Sequence, residues 1–495
     1  MKSQENPCLP VLRPVRRPLP GLPAFAFLFT LLGCLAPLRA EPKNDYRPNI
    51  IYILADDLGY GDLGCYGQQT LSTPHIDRLA TQGMRFTQHY AGNTVCAPSR
   101  SALLEGKHTG RTGVRGNLPY HLLDPNAATL GKALKAAGYD TAVIGKWGVG
   151  HPPPLDDPQR HGFDHFYGYI NMWHAHNFYP EFLYRNGEKH ILTGNVLDPR
   201  ITFPRQPEGS GVAMEKVVFA PYELEREALD YIGRPREKPF FLFFSMIQPH
   251  NNGEYGKIYG DGGYEVPTYG EYINRPWPRA EKGFAANMRM LDDTVGNLLR
   301  RLAEAGLEHN TIVIFGSDNG SCDGSGHDHK FFQSSGPLRG SKRDLYEGGI
   351  RVPFIVKWPG KVRPGSTSDH LNAMWDLFPT FAEIAGAPVP ADLDGISMLP
   401  TWLGQSGQKQ HDHLYWEYNE QGGKQAIRQG KWKAVHLNLS DPKKEKVFEL
   451  FDLETDLAEQ TNVADRFPEV AAHLRSLMTR AHHPHHLVKL FPGEN

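Results

Sequence analysis

Five uninterrupted apolar runs constrain this chain more than any other feature: "NIIYILA", "TAVIGKW", "PFFLFFSMI", "TIVIFG" and "VPFIVKW". A run that is apolar at successive positions has no polar face to turn to water, so as a strand it must be covered on both sides. Between the runs lie segments of helical period, such as "TPHIDRLATQ", "ATLGKALKAAG" and "AANMRMLDDTVGNLLRRLAEAGL". Strand and helix in alternation predict an α/β fold with a large, mostly parallel sheet flanked by helices. After about His411 the strands shorten ("HLYWEYN", "KQAIRQGKWKAVHL", "KVFELFDL") and one helix follows, "FPEVAAHLRSLMTRAHH". A smaller antiparallel sheet with a terminal helix is expected there. The division is 1–40 leader, 41–405 main domain and 406–495 C-terminal subdomain.

The leader combines Arg13, Arg16 and Arg17 with the apolar stretch "GLPAFAFLFTLLGCLAPL" and a cleavage option at Ala40. That pattern is an export signal, and Pro23, Gly33 and Pro37 interrupt it too often for a membrane span. The chain is expected to be periplasmic or secreted. "LLGC" offers the alternative of a lipoprotein anchor through Cys34. Three of the five cysteines follow the leader, an odd number that argues against a disulfide scaffold. With 53 basic against 55 acidic residues and a net charge of -2, no field favours nucleic acid. "HHPHH" near the end is read as a solvated tail rather than a metal site.

The strands end in chemistry. Asp56 and Asp57, Lys146, His250, and Asp318 and Asn319 each follow an apolar run, and parallel strands deliver their carboxyl ends to one edge, where open α/β sheets bind ligands. Any one such pair is ordinarily a turn or a helix cap; four together mark a site. Asp56, Asp57, Asp318 and Asn319 offer only oxygen, which suits a hard divalent cation, with Ca²⁺ favoured over Mg²⁺ because it tolerates irregular loop geometry. Cys96 stands before Pro98 at a helix start, whose free N–H groups favour an anion, with Arg100 on the same face. The plainer reading of Cys96 is a buried structural thiol.

Six ordered blocks carry a resemblance: "ILADDLGYGDLGCYG", "CAPSRSALLEGKHTG", "AVIGKWGVG", "SDNG", "GPLRGSKRDLYEGGIRVPFI" and "ELFDLETDLAEQTNVA". They resemble the type I sulfatases, with their alkaline-phosphatase-like fold, from Arg47 to the C-terminus. The resemblance implies that Cys96 is the precursor of formylglycine, made by a formylglycine-generating enzyme or its equivalent. An aldehyde hydrate attacks sulfur with one hydroxyl and expels sulfate with the other, an exit closed to a thiol or a serine. It further implies catalytic roles for Cys96, Arg100, Lys146, His250 and Lys342, and a metal held by Asp56, Asp57, Asp318, Asn319 and residue 96 itself. Many members read "GKWHLG", whereas this chain has Gly148 in place of that histidine. His151, His174 and His176 are therefore the candidate substitutes or substrate contacts. Trp173, Tyr179 and Tyr184 suggest a sugar-facing loop, with packing between core elements as the alternative. A sulfated carbohydrate is the expected substrate, aryl sulfates serving as model substrates; the rivals are a phosphate or phosphonate ester hydrolase of the same superfamily and a secreted glycan-binding protein with a dead site.

Overall fold

Ten strands align in one sheet of the computed structural model, which describes residues 47–118, 121–153, 155–200 and 208–494. In chain order they are β1 (Asn49–Ala55), β2 (Met84–Phe86), β3 (Asp140–Lys146), β4 (His165–Tyr169), β5 (Phe182–Arg185), β6 (Glu188–Ile191), β7 (Phe240–Ser245), β8 (Thr311–Ser317), β9 (Phe354–Lys357) and β10 (Ser366–Ser368). Their spatial order is β10-β2-β9-β8-β1-β7-β3-β4-β5-β6. The five in the middle, β8, β1, β7, β3 and β4, are mutually parallel. β1, β7 and β8 are buried along their whole length, as their unbroken apolar sequences require. One expectation changes: "PFIVKW" becomes β9, antiparallel to β8 and β2. An apolar run reads the same in either direction, so the sequence pattern does not carry this sense.

Two cores cover the sheet, one on each face. On one side Ile51, Ile53, Leu242 and Phe244 pack with the helices Pro74–Gln82, Ala220–Gly233 and Arg279–Glu304. On the other, Ile50, Tyr52, Phe241 and Phe243 pack with Leu103, Leu130, Phe378 and Phe381 of shorter helices. Alternate residues of one strand thus serve opposite cores, which is the period-two geometry of a strand applied twice.

The C-terminal segment forms the expected antiparallel sheet, with strands Leu414–Tyr418, Lys424–Gln429, Trp432–Leu437 and Val447–Asp452 in sequential order. The Pro468–Ala481 helix covers one face through Leu474, Leu477 and Met478 against Tyr415, Ile427 and Leu450. The other face, with Trp416, Ala426, Val435 and Phe451, packs on Tyr90, Val95, Ala102 and Trp375. Three buried charges stitch this contact: Lys433 Nζ lies 2.8 Å from Glu347 and 3.0 Å from Glu459, all three fully excluded from solvent. The histidine-rich end is not simply a solvated tail. His482 is held between Glu417 and Glu494 at 2.7 and 2.8 Å. No helix of the described residues is long and apolar enough to cross a membrane; the proposed leader, with Cys34, lies outside the described residues. Cys65, Cys96 and Cys322 are free thiols, so among the described residues no disulfide forms.

Candidate active site

Strand register assembles the site. Ala55 pairs with Ser317, Leu54 with Ser245 and Ser245 with Gly145, so the residues that follow each strand emerge side by side at one edge. Asp56, Asp57, Asp318 and Asn319 are all buried there. Asp57 takes a left-handed backbone, φ 66°, and its N–H donates to Asp318 Oδ1 at 3.2 Å. Asn319 Nδ2 donates to Asp57 Oδ1 at 2.7 Å. The turn therefore draws two strand ends together and aims their side chains at one point.

Two positive side chains bind this acidic cluster. Arg100 forks its Nε and Nη2 onto Asp318 Oδ2 at 3.1 and 2.8 Å, and its Nη1 donates to the Lys146 carbonyl at 2.7 Å. Its fork is thus spent on a carboxylate of the chain itself. Lys146 Nζ lies 2.5 Å from Asp56 Oδ2. Above them, Lys342 Nζ lies 2.6 Å from Asp57 Oδ1 and 3.1 Å from His250 Nε2. Burial opposes ionisation of Asp56 and Asp57, but Lys146 for the first and Lys342 for the second lead a surplus of positive charge that pulls both below the usual carboxylate range. Asp318 goes the other way, pushed up to about 7 by burial and by Asp56. Three carboxylates in one dry place repel one another, and a cation among them would relieve that repulsion.

Burial lowers His250 to about 3, so the ring is neutral. Its Nδ1 lies 2.5 Å from the Asn251 carbonyl. A carbonyl only accepts, so Nδ1 carries the proton and Nε2 accepts from Lys342.

Cys96 opens the Cys96–Glu105 helix, every residue of which is buried. Val95 supplies no side-chain cap. The job falls to Asn117, whose Oδ1 accepts from the Ala97 N–H at 3.2 Å and lies 3.7 Å from Cys96 Sγ. Asn117 is held in turn by Glu420 of the C-terminal segment, which accepts its backbone N–H at 3.0 Å. Cys96 lines a cavity of about 500 Å³ together with Asn117, Trp173, His176, His250, Lys342, Arg343 and Glu420. Nothing in the motif spacing pointed to Asn117, Arg343 or Glu420; they arrive from loops and from the small sheet.

The three candidate histidines separate. His176 lines the cavity, stacks on His250 with ring centroids 4.6 Å apart, and holds Glu254 through Nδ1 at 3.0 Å. His174 is buried among Tyr169, Phe182 and Tyr184, where burial lowers it to about 3. His151 does not line the cavity, and burial lowers its pKa as well. Of the loop aromatics, Trp173 faces the cavity while Tyr179 and Tyr184 are buried in packing.

Gly148 has its own reason. Its φ is +80°, and a Cβ there would sit 3.0 Å from Arg100 Cδ and 3.6 Å from Lys146 Cε. A left-handed backbone costs an ordinary residue about 1–2 kcal/mol. Gly148→Ala is expected to cost about that much stability and to lower turnover by displacing Arg100; a variant as active and as stable as the parent in a thermal melt would refute the crowding argument.

The family model for sulfatases matches residues 48–387, the span of the large sheet and its edge. A second, for the C-terminal region of N-sulphoglucosamine sulphohydrolase, matches residues 340–483. The N-acetylgalactosamine-6-O-sulfatase of Bacteroides thetaiotaomicron is 30% identical over 94% of this chain and 99% of its own length. The steryl-sulfatase of Rattus norvegicus is 32% identical over 79% of this chain and 75% of its own. Among solved structures, Ps i-CgsB in complex with k-i-k-neocarrahexaose superposes with a TM-score of 0.72 at 26% identity, covering 88% of this chain and 93% of that one. Alignment across both sheets, and not merely across a shared motif, settles the affiliation: the chain belongs to the sulfatase family and is a sulfuric ester hydrolase.

Proposed function

We propose that the protein removes sulfate from a sulfated carbohydrate, acting at Cys96 after its conversion to formylglycine and with one bound calcium ion. The polarity of the cavity carries the choice of substrate. Asn117, His176, Asn251, Glu254, Lys257, Asp323 and Glu420 line it, against Met172 and Trp173 as large apolar groups. A steroid needs the reverse balance, whereas a sugar matches hydroxyls to such donors and acceptors. That argument favours a sugar sulfate, as named for the Bacteroides relative, over a steroid sulfate, as named for the rat relative.

The acidic floor fits a hard cation on its own terms. Asp56 Oδ1 and Asn319 Oδ1 are buried without a hydrogen-bond partner among the described residues, and buried polar oxygens left so are costly. Asp56, Asp57, Asp318 and Asn319, with residue 96, would hold the ion, which when bound supplies Lewis-acid polarisation of a sulfate oxygen. Lys146 and Lys342 would offset the remaining sulfate charge, and Arg100 keeps Asp318 oriented. For the leaving oxygen, Lys342 would hold the proton: its ammonium donates to His250 Nε2, and the neutral imidazole, whose own N–H faces the Asn251 carbonyl, keeps that ammonium in place to meet a departing alkoxide. The Cys96 thiol has no imidazole among its hydrogen-bond partners, so direct thiolate chemistry would lack a base; a formylglycine aldehyde would supply a nucleophilic hydrate instead.

Incubation with 6-sulfated and 4-sulfated amino sugars and with matched phosphate esters is expected to release inorganic sulfate and little phosphate. Faster phosphate release would overturn the reading. Mass spectrometry of the Cys96 peptide should show the aldehyde; an unmodified thiol in protein that binds but does not cleave would favour a dead site. Asp57→Ala and Asp318→Ala are expected to lose calcium and activity together, by a hundredfold or more, each removing a charge that offsets the ion. Elemental analysis reads the first loss independently of the second, and full activity in a metal-free preparation would refute the assignment.

A further inference from the structure

Among the described residues, the charged side chains on the walls of the Cys96 cavity have hydrogen-bond or ion-pair partners, with one exception. Lys342 meets Asp57, Glu254 meets His176 and Asp323 meets His329 at 2.6 Å. Glu420 accepts from the Asn117 N–H with one oxygen and from the Tyr418 hydroxyl with the other, at 3.0 and 3.2 Å. Lys257 is engaged as well. The guanidinium of Arg343 makes no hydrogen bond or ion pair with any described residue, although Arg343 lines the same cavity.

Its backbone, by contrast, is fixed at both ends. The Arg343 N–H donates to the Thr94 carbonyl at 3.1 Å, and its own carbonyl accepts from Lys424 Nζ at 2.7 Å. Between these anchors φ is +76°. Glycine would take that conformation freely, whereas a residue with a side chain is strained there. A strained position on a site wall whose guanidinium has no hydrogen-bond partner among the described residues calls for a functional reason. Lys342 is buried over the acidic floor, while Arg343, the next residue, is exposed. The two cations therefore address different places. A guanidinium fork matches the paired oxygens of sulfate or carboxylate.

We propose that Arg343 receives a second anionic group of the substrate, a sulfate or a carboxylate elsewhere on the same sugar or on its neighbour, so that the preferred substrate carries at least two negative charges. The inference rests on the reading of this cavity as a carbohydrate sulfatase site. Glu420 and Asp57 attract the guanidinium through space, but Glu420 spends its oxygens on the Asn117 N–H and the Tyr418 hydroxyl and Asp57 meets Lys342, so the N–H groups of the fork stay available to a ligand.

Three disaccharides test it, identical in the scissile sulfate and differing elsewhere in one group: hydroxyl, sulfate or carboxylate. The wild-type protein is expected to prefer one or both charged forms by about ten- to a hundredfold in kcat/KM, the range of a charge-assisted pair. Whichever arm shows the preference names the group. Arg343→Gln should abolish it. Binding of the same three ligands to Cys96→Ala protein, followed by calorimetry, should show the same order without turnover. Arg343→Gly should also lose the preference while melting no lower than the parent, an outcome that a structural role for the side chain would not give. Equal kcat/KM across the three disaccharides, or a preference that survives Arg343→Gln, would overturn the proposal and leave the sulfatase reading intact. Absence of both binding and cleavage for all three would instead refute the carbohydrate reading itself.

Discussion

Cys96→Ser and Cys96→Ala are both expected to fold like the parent and to lose at least about a thousandfold in kcat. The side chain at 96 is small, buried and held by packing and by the Asn117 amide, so either change removes little volume and leaves the helix capped through Ala97. On the formylglycine reading proposed above, what it removes is the precursor of the reactive carbon. A serine hydroxyl has no base beside it and, once sulfated, no way to expel the sulfate. Produced in a host that cannot oxidise serine, the serine variant should match the alanine variant in steady-state turnover; a serine variant with a tenth of parental kcat would overturn the formylglycine reading. Circular dichroism and a thermal melt separate loss of chemistry from loss of fold.

Lys433→Met is expected to destabilise the chain by about 3–5 kcal/mol, the usual effect of removing one partner from a buried charge cluster. Lys433 sits between Glu347 and Glu459 in the contact between the small sheet and the rest of the chain. Burial alone would raise Glu347, but Lys433, Arg428 and Arg351 outweigh it and hold the carboxyl down to about 2. Glu459 is pushed up to about 7 by burial, with the neighbouring Glu347 charge adding to the rise. The signs differ accordingly. A carboxyl lowered on folding contributes stability above its ordinary value near 4.5, so the Glu347 contribution disappears as pH falls from there toward 2. A carboxyl raised on folding binds more protons folded than unfolded, so Glu459 makes stability fall as pH climbs from about 4.5 to 7. Urea denaturation across pH should show both slopes, and Lys433→Met should steepen the second. Adding Glu459→Gln to Lys433→Met should recover part of the loss. A single variant within 1 kcal/mol of the parent would show that the cluster contributes little.

The parts of this site that sequence reveals are those on strand ends. Asp56, Asp57, Lys146, His250, Asp318 and Asn319 could be grouped in advance because a parallel sheet has one carboxyl edge and each follows an apolar run. The antiparallel sense of β9 could not, since burial on both faces erases direction. Nor could the fates of His174 and His176: two residues apart in a loop that ends in a single 3₁₀ turn, they follow neither strand nor helix periodicity long enough for a pattern to say which faces the cavity. Asn117, Arg343 and Glu420 were hidden for another reason. Their placement depends on the small sheet docking where it does, and docking is written in the two-sided packing of Tyr415, Trp416, Ala426 and Ile427 rather than in any local motif.

The hydrogen bond from Asn117 to Glu420 spans 303 positions of the chain. At a synthesis rate of roughly 5–20 residues per second, Asn117 leaves the ribosome about 15–60 s before its partner exists. Through that interval the wall that Glu420 contributes is missing, and the thiol at 96 stands open to whatever acts on nascent chains. When the last strands dock, Glu420 completes one wall of the cavity that Cys96 lines. The order of manufacture thus makes the wall beside Cys96 among the last parts of the cavity to be completed, at a time set by chain length.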